Sequence, residues 1–171
     1  MESIKRLIRD IPDFPKPGIV FKDITPILSD PGAMARITGA FEAELEKLKP
    51  SRIIGIESRG FIFGSVLAAS MSLPFTPIRK PGKLPHEVVS VSYELEYGND
   101  TLEMHTDGVA EGESVVILDD LLATGGTAAA AAALVEKVGG KVAALGFVVE
   151  LGFLNGREKL KGREIVSLVG Y

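Results

Sequence analysis

Hydrophobic residues follow two periods along this chain. Ile4, Leu7 and Ile8 share one face at helical spacing, predicting an amphipathic first helix over residues 2–9. Pro12, Pro15 and Pro17 break regularity over 11–18, and an extended apolar segment follows over 19–26. Asp30-Pro31 reads as an N-cap with proline at the first helical position. That helix runs to about Leu48 and buries Ile37, Phe41, Leu45 and Leu48. Short apolar runs at 52–56, 75–79, 115–118, 141–150 and 165–169 predict buried strands, with helices over 60–71 and 128–138. Residues 88–97 alternate through Val89, Val91, Tyr93, Leu95 and Tyr97; 98–100 reads as a turn, and 101–105 alternates back as the second arm of a hairpin. A short stretch at 156–160 precedes the last strand. Strands alternating with helices predict an α/β fold, a mostly parallel central sheet flanked by helices with an antiparallel ribbon appended.

Composition narrows this without redirecting it. At 171 residues, with neither repeat nor linker, the chain is read as one domain over 1–171, long enough to bury about 70% of its unfolded surface. A hydrophobic fraction of 46%, 25% charged residues and a net charge of −4 describe a globular chain and disfavour a general nucleic-acid binder. Zero cysteines exclude a disulfide framework and thiolate metal sites, and fit a reducing cytosol. No leader pattern opens the chain and no apolar run approaches the length that spans a bilayer, so neither export nor membrane insertion is expected.

The densest chemistry lies at 115–127, Val-Val-Ile-Leu-Asp-Asp-Leu-Leu-Ala-Thr-Gly-Gly-Thr. A buried strand ends at Asp119 and Asp120, and the small-residue turn Ala123, Thr124, Gly125, Gly126, Thr127 leads into a helix. A helix start leaves amides without intrahelical partners and carries positive dipole character. Thr124 and Thr127 add hydroxyl donors, and the glycines remove Cβ atoms that would block a ligand. The turn suits a phosphate monoester; each hydrogen bond to such a charged group is worth roughly 1.5–3 kcal/mol. The adjacent acids suit hydroxyl donors or the water shell of a metal. Phosphate on one side and diol or divalent ion on the other describe a ribose 5-phosphate with a metal-bound group at C1. No lysine follows the glycines, so this is not a Walker loop. Gly-Gly alone is as often only a turn.

Other candidates are weaker taken singly. Glu57-Ser58-Arg59-Gly60 follows the 52–56 strand and opens the next helix, a second anion pocket or simply a Glu57–Arg59 ion pair at a strand end. Arg79, Lys80 and Lys83 crowd a turn before the hairpin, which suits a mobile flap over phosphates or an ordinary solvated face. The backbone of Val20 to Lys22 can read a planar heterocycle with Phe21 stacking on it, or the segment is a surface loop pinned by Phe14 and Phe21. His86 and His105 have no triad partner in sequence context and read as surface or packing residues. Glu57 to Arg59, Arg79 to Lys83 and Asp119 to Thr127 all fall at carboxyl ends of strands, where open α/β sheets bind ligands.

The 115–127 stretch resembles the phosphoribosyl-pyrophosphate (PRPP) motif of type I phosphoribosyltransferases. Four further stretches, at 14–26, 57–61, 79–85 and 93–98, occur in the order found in the adenine phosphoribosyltransferase family, and the length also resembles that family. The resemblance implies a pentosyltransferase of purine salvage that moves the 5-phosphoribosyl group of PRPP to adenine, giving AMP and pyrophosphate. It implies an N-terminal hood over 1–28 that binds the base, a flexible flap over 79–106, a homodimer and a cytoplasmic location. It places the 5-phosphate on Ala123, Thr124, Gly125, Gly126 and Thr127, and the ribose hydroxyls and magnesium-bound water on Asp119 and Asp120. Arg59, Lys80 and Lys83 face pyrophosphate, with Arg79 reaching the neighbouring subunit's site. Val20, Phe21 and Lys22 bind adenine with Leu121 opposite Phe21, and Glu96 handles the adenine proton. Magnesium is expected to be held mainly by substrate and water. The flap at 84–88 carries His86 and Glu87 where members vary.

Two rivals remain at this stage. One is a phosphoribosyltransferase for another purine or a pyrimidine, since base choice rests on a few backbone contacts. The other is a PRPP-sensing regulator that binds nucleic acid; the eleven residues before Pro12 and the pI near 5.3 disfavour it.

Overall fold

The computed structural model describes residues 1–95 and 98–171. The first helix is shorter than its apolar spacing suggests: α1 (Glu2–Lys5) gives way to β1 (Arg9–Pro12), which pairs antiparallel with β2 (Val20–Asp23). Ile4 and Ile8 are still buried, as the periodicity requires. A helix of one turn is not stable on its own, and strand pairing with β2 takes over the residues beyond it. After α2 (Thr25–Leu28) comes α3 (Pro31–Leu45), capped by Asp30, whose side chain accepts from the Ala33 amide at 3.0 Å. A single 3₁₀ turn, Glu46–Leu48, replaces the last predicted helical residues.

The remainder alternates. β3 (Arg52–Ile56), α4 (Arg59–Ser70) and β4 (Phe75–Ile78) precede the ribbon β5 (Val88–Leu95) and β6 (Gly98–His105); β7 (Ser114–Leu122), α5 (Gly126–Lys137), β8 (Lys141–Glu150) and β9 (Ile165–Gly170) follow. Five strands form a parallel sheet in the order β4-β3-β7-β8-β9. Both faces are covered, so the strands carry nearly unbroken apolar runs. Val116 and Leu118 join α3 and α4 in one core, while Val115 and Ile117 join α5 in the other.

Two further differences from the pattern-based reading bear on the site. β7 does not end at Leu118 but pairs with β8 through Leu122↔Glu150, so Asp119 and Asp120 lie inside the strand. The ribbon pairs as far as Leu95↔Gly98, which puts residues 98–100 in β6 rather than in a turn. Its base is no mere solvated face: Val89, Leu102 and Met104 are buried in the core beside α5, and Lys137 Nζ donates to the Ser90 carbonyl at 3.2 Å.

Candidate active site

The carboxyl ends of β3 and β7, the start of α5 and the ribbon enclose a cavity of about 470 Å³. Asp119, Asp120, Leu121, Ala123 and Thr127 line it from β7 and the following turn, Glu57, Ser58 and Arg59 from the β3–α4 turn, and Lys80, Tyr93 and Asp100 from the ribbon side. At its floor a niche of about 70 Å³ is walled by the whole 121–128 turn with Asp119 and Phe147. Gly125 is the N-cap of α5, in the left-handed region at φ +80°, and contributes no side-chain cap. The first amides of α5 therefore face the niche with the favourable end of the helix dipole. All five predicted phosphate-turn residues line this one niche.

The two acids divide their surroundings. Asp119 is half-buried and its Oδ1 accepts from the Asp120 amide at 2.8 Å. Asp120 is only 4% exposed. Its Oδ2 lies 2.9 Å from Arg59 Nε, an ion pair without an aligned hydrogen bond. Burial pushes both carboxyls above their ordinary range; the Asp120 charge raises Asp119 further, while Arg59 holds Asp120 back. α4 can approach this closely because residue 60 is glycine: a Cβ there would sit 2.7 Å from the Leu118 carbonyl oxygen and 3.1 Å from Asp119 Oδ1.

The Glu57–Arg59 ion pair, one of the two sequence-based alternatives, does not form: Arg59 pairs with Asp120. Glu57 instead organises the basic turn: it accepts from Arg79 Nε at 3.2 Å and the Lys80 amide at 3.0 Å, and its other oxygen pairs with Lys83. Lys80 pairs with Asp100 at 2.6 Å, and Asp100 Oδ2 also accepts from Tyr93 Oη at 3.3 Å. Thr127 Oγ1 donates to Tyr93 Oη at 3.2 Å, joining ribbon and phosphate turn. Arg79 also donates to the Lys83 carbonyl at 3.1 Å and lies 5.9 Å from the Phe61 ring. Asp100 and Tyr93 carry no sequence signal of their own, but the hairpin register sets them opposite each other.

Burial raises the Glu57 carboxyl, but Lys83, the Lys80 amide and Arg79 outweigh it, leaving the group below its ordinary value. Its pairing therefore stabilises the fold above the unfolded carboxylate range and is lost as pH falls through the lowered value. Glu57→Gln should cost about 1 kcal/mol at neutral pH, the partners being partly exposed. Melting curves should show that difference vanish in acid; a gap that persists there means the charge is not what holds the turn.

The hood is split by strand alternation. Val20 and Lys22 line a separate cavity of about 840 Å³ with Thr124, Leu151, Phe153 and Tyr171. The Phe21 ring instead lies 5.4 Å from the Arg59 guanidinium and edge-on to Phe14 at 5.2 Å. The structure thus brings Phe21 to the arginine beside Asp120, and Leu121 to the same cavity as that arginine. Glu96 lies outside the described residues. His86 and His105 meet edge-on with ring centroids 5.9 Å apart, away from these cavities.

A parallel sheet whose central strand ends in paired acids and a phosphate niche, faced by a second anion-ready helix start, defines a phosphoribosyltransferase fold. The family model described as the phosphoribosyl transferase domain matches residues 23–164. An adenine phosphoribosyltransferase of Carboxydothermus hydrogenoformans is 54% identical over 169 residues, covering 99% of both chains. The crystal structure of that enzyme from Thermoanaerobacter pseudethanolicus superposes with a TM-score of 0.97 at 54% identity, covering 99% of each chain. A Saccharomyces cerevisiae structure, described as complexed with an imino-altritol bisphosphate and adenine, gives 0.94 at 42% identity, covering 98% of this chain and 97% of that one. The chain belongs to the adenine phosphoribosyltransferase family.

Proposed function

We infer that this protein transfers the 5-phosphoribosyl group of PRPP to adenine, giving AMP and pyrophosphate. The observation that carries the reading is continuity. One cavity is lined by Thr127 of the phosphate turn, by Asp119 and Asp120, and by the cations Arg59 and Lys80. Those are the partners that the 5-phosphate, ribose diol and pyrophosphate of PRPP each need.

The amides and hydroxyls of residues 123–127 hold the 5-phosphate, and Asp119 and Asp120 accept from the ribose hydroxyls. The C1–oxygen bond breaks with its electron pair leaving on pyrophosphate, while the adenine N9 lone pair forms the new C1–N9 bond. Asp119 and Asp120 place negative charge beside the developing oxocarbenium, and Arg59, Lys80 and Lys83 meet the departing charge. Phe21 stacks on the base opposite Leu121, with the backbone of Val20 and Lys22 reading its edge. Glu96 takes the proton that adenine loses. Closure of the ribbon keeps out water that would hydrolyse PRPP.

Magnesium belongs to this reading. The half-buried Asp119 and the Asp120 oxygen with no aligned hydrogen bond are hard donors that suit it through its water shell. When bound, it would offset pyrophosphate charge. A homodimer belongs to it too, because α4 exposes Ile62 (37%) and Val66 (41%) one helical turn apart, beside the arginine assigned to the neighbouring site. Among the described residues no helix is long and apolar enough to cross a membrane; a cytoplasmic location is proposed from the cysteine-free composition.

Incubation with PRPP, magnesium and each free base in turn tests the assignment. AMP from adenine, with the other bases at least about a hundredfold slower, is expected; equal use of hypoxanthine or guanine overturns the base specificity. Glu96→Ala should lower kcat more than it weakens adenine binding, and the reverse pattern makes Glu96 a binding residue.

A further inference from the structure

The phosphate turn rests on a shelf that the mechanism above does not use. After β8 the chain makes two 3₁₀ turns, Gly152–Leu154 and Gly156–Leu160. The first residue of the second turn, Gly156, is buried directly against the phosphate turn. A Cβ on Gly156 would lie 2.2 Å from the Ala123 carbonyl oxygen and 3.0 Å from Leu122 Cδ1. From the other side, a Cβ on Gly125 would lie 2.3 Å from the Gly156 carbonyl oxygen. The two backbones therefore touch in both directions, with no side chain between them to give way.

The shelf is fixed from behind. Leu160, at the end of the same turn, is 1% exposed in the core beside α5. Arg157 grips Glu150 through two hydrogen bonds of 2.7 Å each, tying the turn to the end of β8. The Leu151 amide donates to the Leu122 carbonyl at 2.9 Å, tying the same connection to β7 just before the phosphate turn. Bulk added at 156 meets an anchored turn on one side and the phosphate turn on the other, so it pushes the two backbones apart.

We infer that Gly156 is a positioning residue for the phosphate turn: its missing side chain sets the height at which residues 123–127 present their amides and hydroxyls to the 5-phosphate. The inference rests on the reading of that turn as the ribose 5-phosphate cradle. Gly156 acts only through the turn. Hydrogen bonds to phosphate lengthen or bend when the donors shift, and they weaken steeply outside their preferred geometry. Adenine, held mainly by the hood and touching this region only through Leu121 and Thr124, is displaced less than the 5-phosphate.

Gly162 supplies the control. It lies in the same connection, has a positive φ of +83° and has nothing within 4 Å of an added Cβ. Gly162→Ala thus strains the backbone without touching the phosphate turn. Calorimetry with ribose 5-phosphate, steady-state KM for PRPP and adenine, and melting temperature should be measured for the wild type, Gly156→Ala and Gly162→Ala. Gly156→Ala should weaken ribose 5-phosphate binding and raise the PRPP KM about tenfold or more, with the adenine KM little changed. Gly162→Ala should bind as the wild type does, even with a lowered melting temperature. Arg157→Ala, at a partly exposed site, releases the shelf and should shift the PRPP KM in the same direction by a smaller factor; it gives the answer if Gly156→Ala does not fold. Wild-type ribose 5-phosphate affinity in Gly156→Ala, or in Arg157→Ala where only that variant folds, overturns the inference. So does an equal loss for PRPP and adenine. A wild-type protein that ignores ribose 5-phosphate overturns the functional reading instead.

Discussion

Replacing Asp119 and Asp120 together by asparagine should abolish turnover while leaving the fold intact. Asparagine keeps the shape of each side chain but removes the charge that the ribose carbon meets as pyrophosphate departs. Preorganised charge of this kind in a secluded site is worth several kcal/mol of barrier, so kcat should fall by about 10³-fold or more. Stability should move the other way. Burial raises both carboxyls, so the folded protein holds its protons more tightly than the unfolded chain does. The charged pair is thus a cost to folding that appears as pH rises through the unfolded and then the folded values. At neutral pH the double variant should melt at the wild-type temperature or above it, Arg59 being exposed enough to find water. Near-normal AMP formation by a folded double variant would take the acids out of the mechanism. Loss of activity with a large drop in melting temperature would make their role structural.

The opposition between stability and activity at these acids also explains which parts of the molecule were visible in its pattern. Runs such as 52–56 and 141–150 are buried on both faces, so their apolar residues announce them, and β3 and β8 have those bounds. The apolar pattern stops four residues short of the end of β7 because the end proposed to be catalytic carries acids where a buried strand would carry valine, and pairing with β8 continues regardless. The hood hairpin was hidden for another reason. Prolines at 12, 15 and 17 obscure an alternation only four residues long, and its partner strand is what stabilises it. The phosphate turn was legible because amide-lined niches need small residues at fixed places. Glu57 was seen, but its partners were not. They lie more than twenty residues away on a turn whose approach depends on β3–β4 pairing.

Chelation of divalent cations should also bring turnover close to zero, and the charges around the cavity give the reason. Four cations lie at or beside the cavity: Arg59 and Lys80 line it, and Lys83 and Arg79, the latter assigned above to the neighbouring site, sit on the adjoining Glu57 turn. Each is already matched: Arg59 by Asp120, Arg79 and Lys83 by Glu57, and Lys80 by Asp100. With Asp119 half-buried beside them, four carboxylates stand against four cations, and the wall offers little net positive charge. A leaving group bearing several negative charges cannot draw on cations that stay paired, and freeing them leaves Asp120 buried without its partner and Glu57 with only the Lys80 amide. On the proposed reading, a divalent ion arriving with PRPP would supply the missing charge without breaking these pairs. Excess EDTA should therefore lower kcat by about 10³-fold or more, and added magnesium should restore it. Among the described residues no three acids or histidines converge on one metal position. Calorimetry should accordingly show magnesium binding weakly to the protein alone and tightly only with pyrophosphate or PRPP present. Turnover in EDTA within about tenfold of the magnesium rate would mean that the lysines and arginines let go of their carboxylates and neutralise the leaving group themselves.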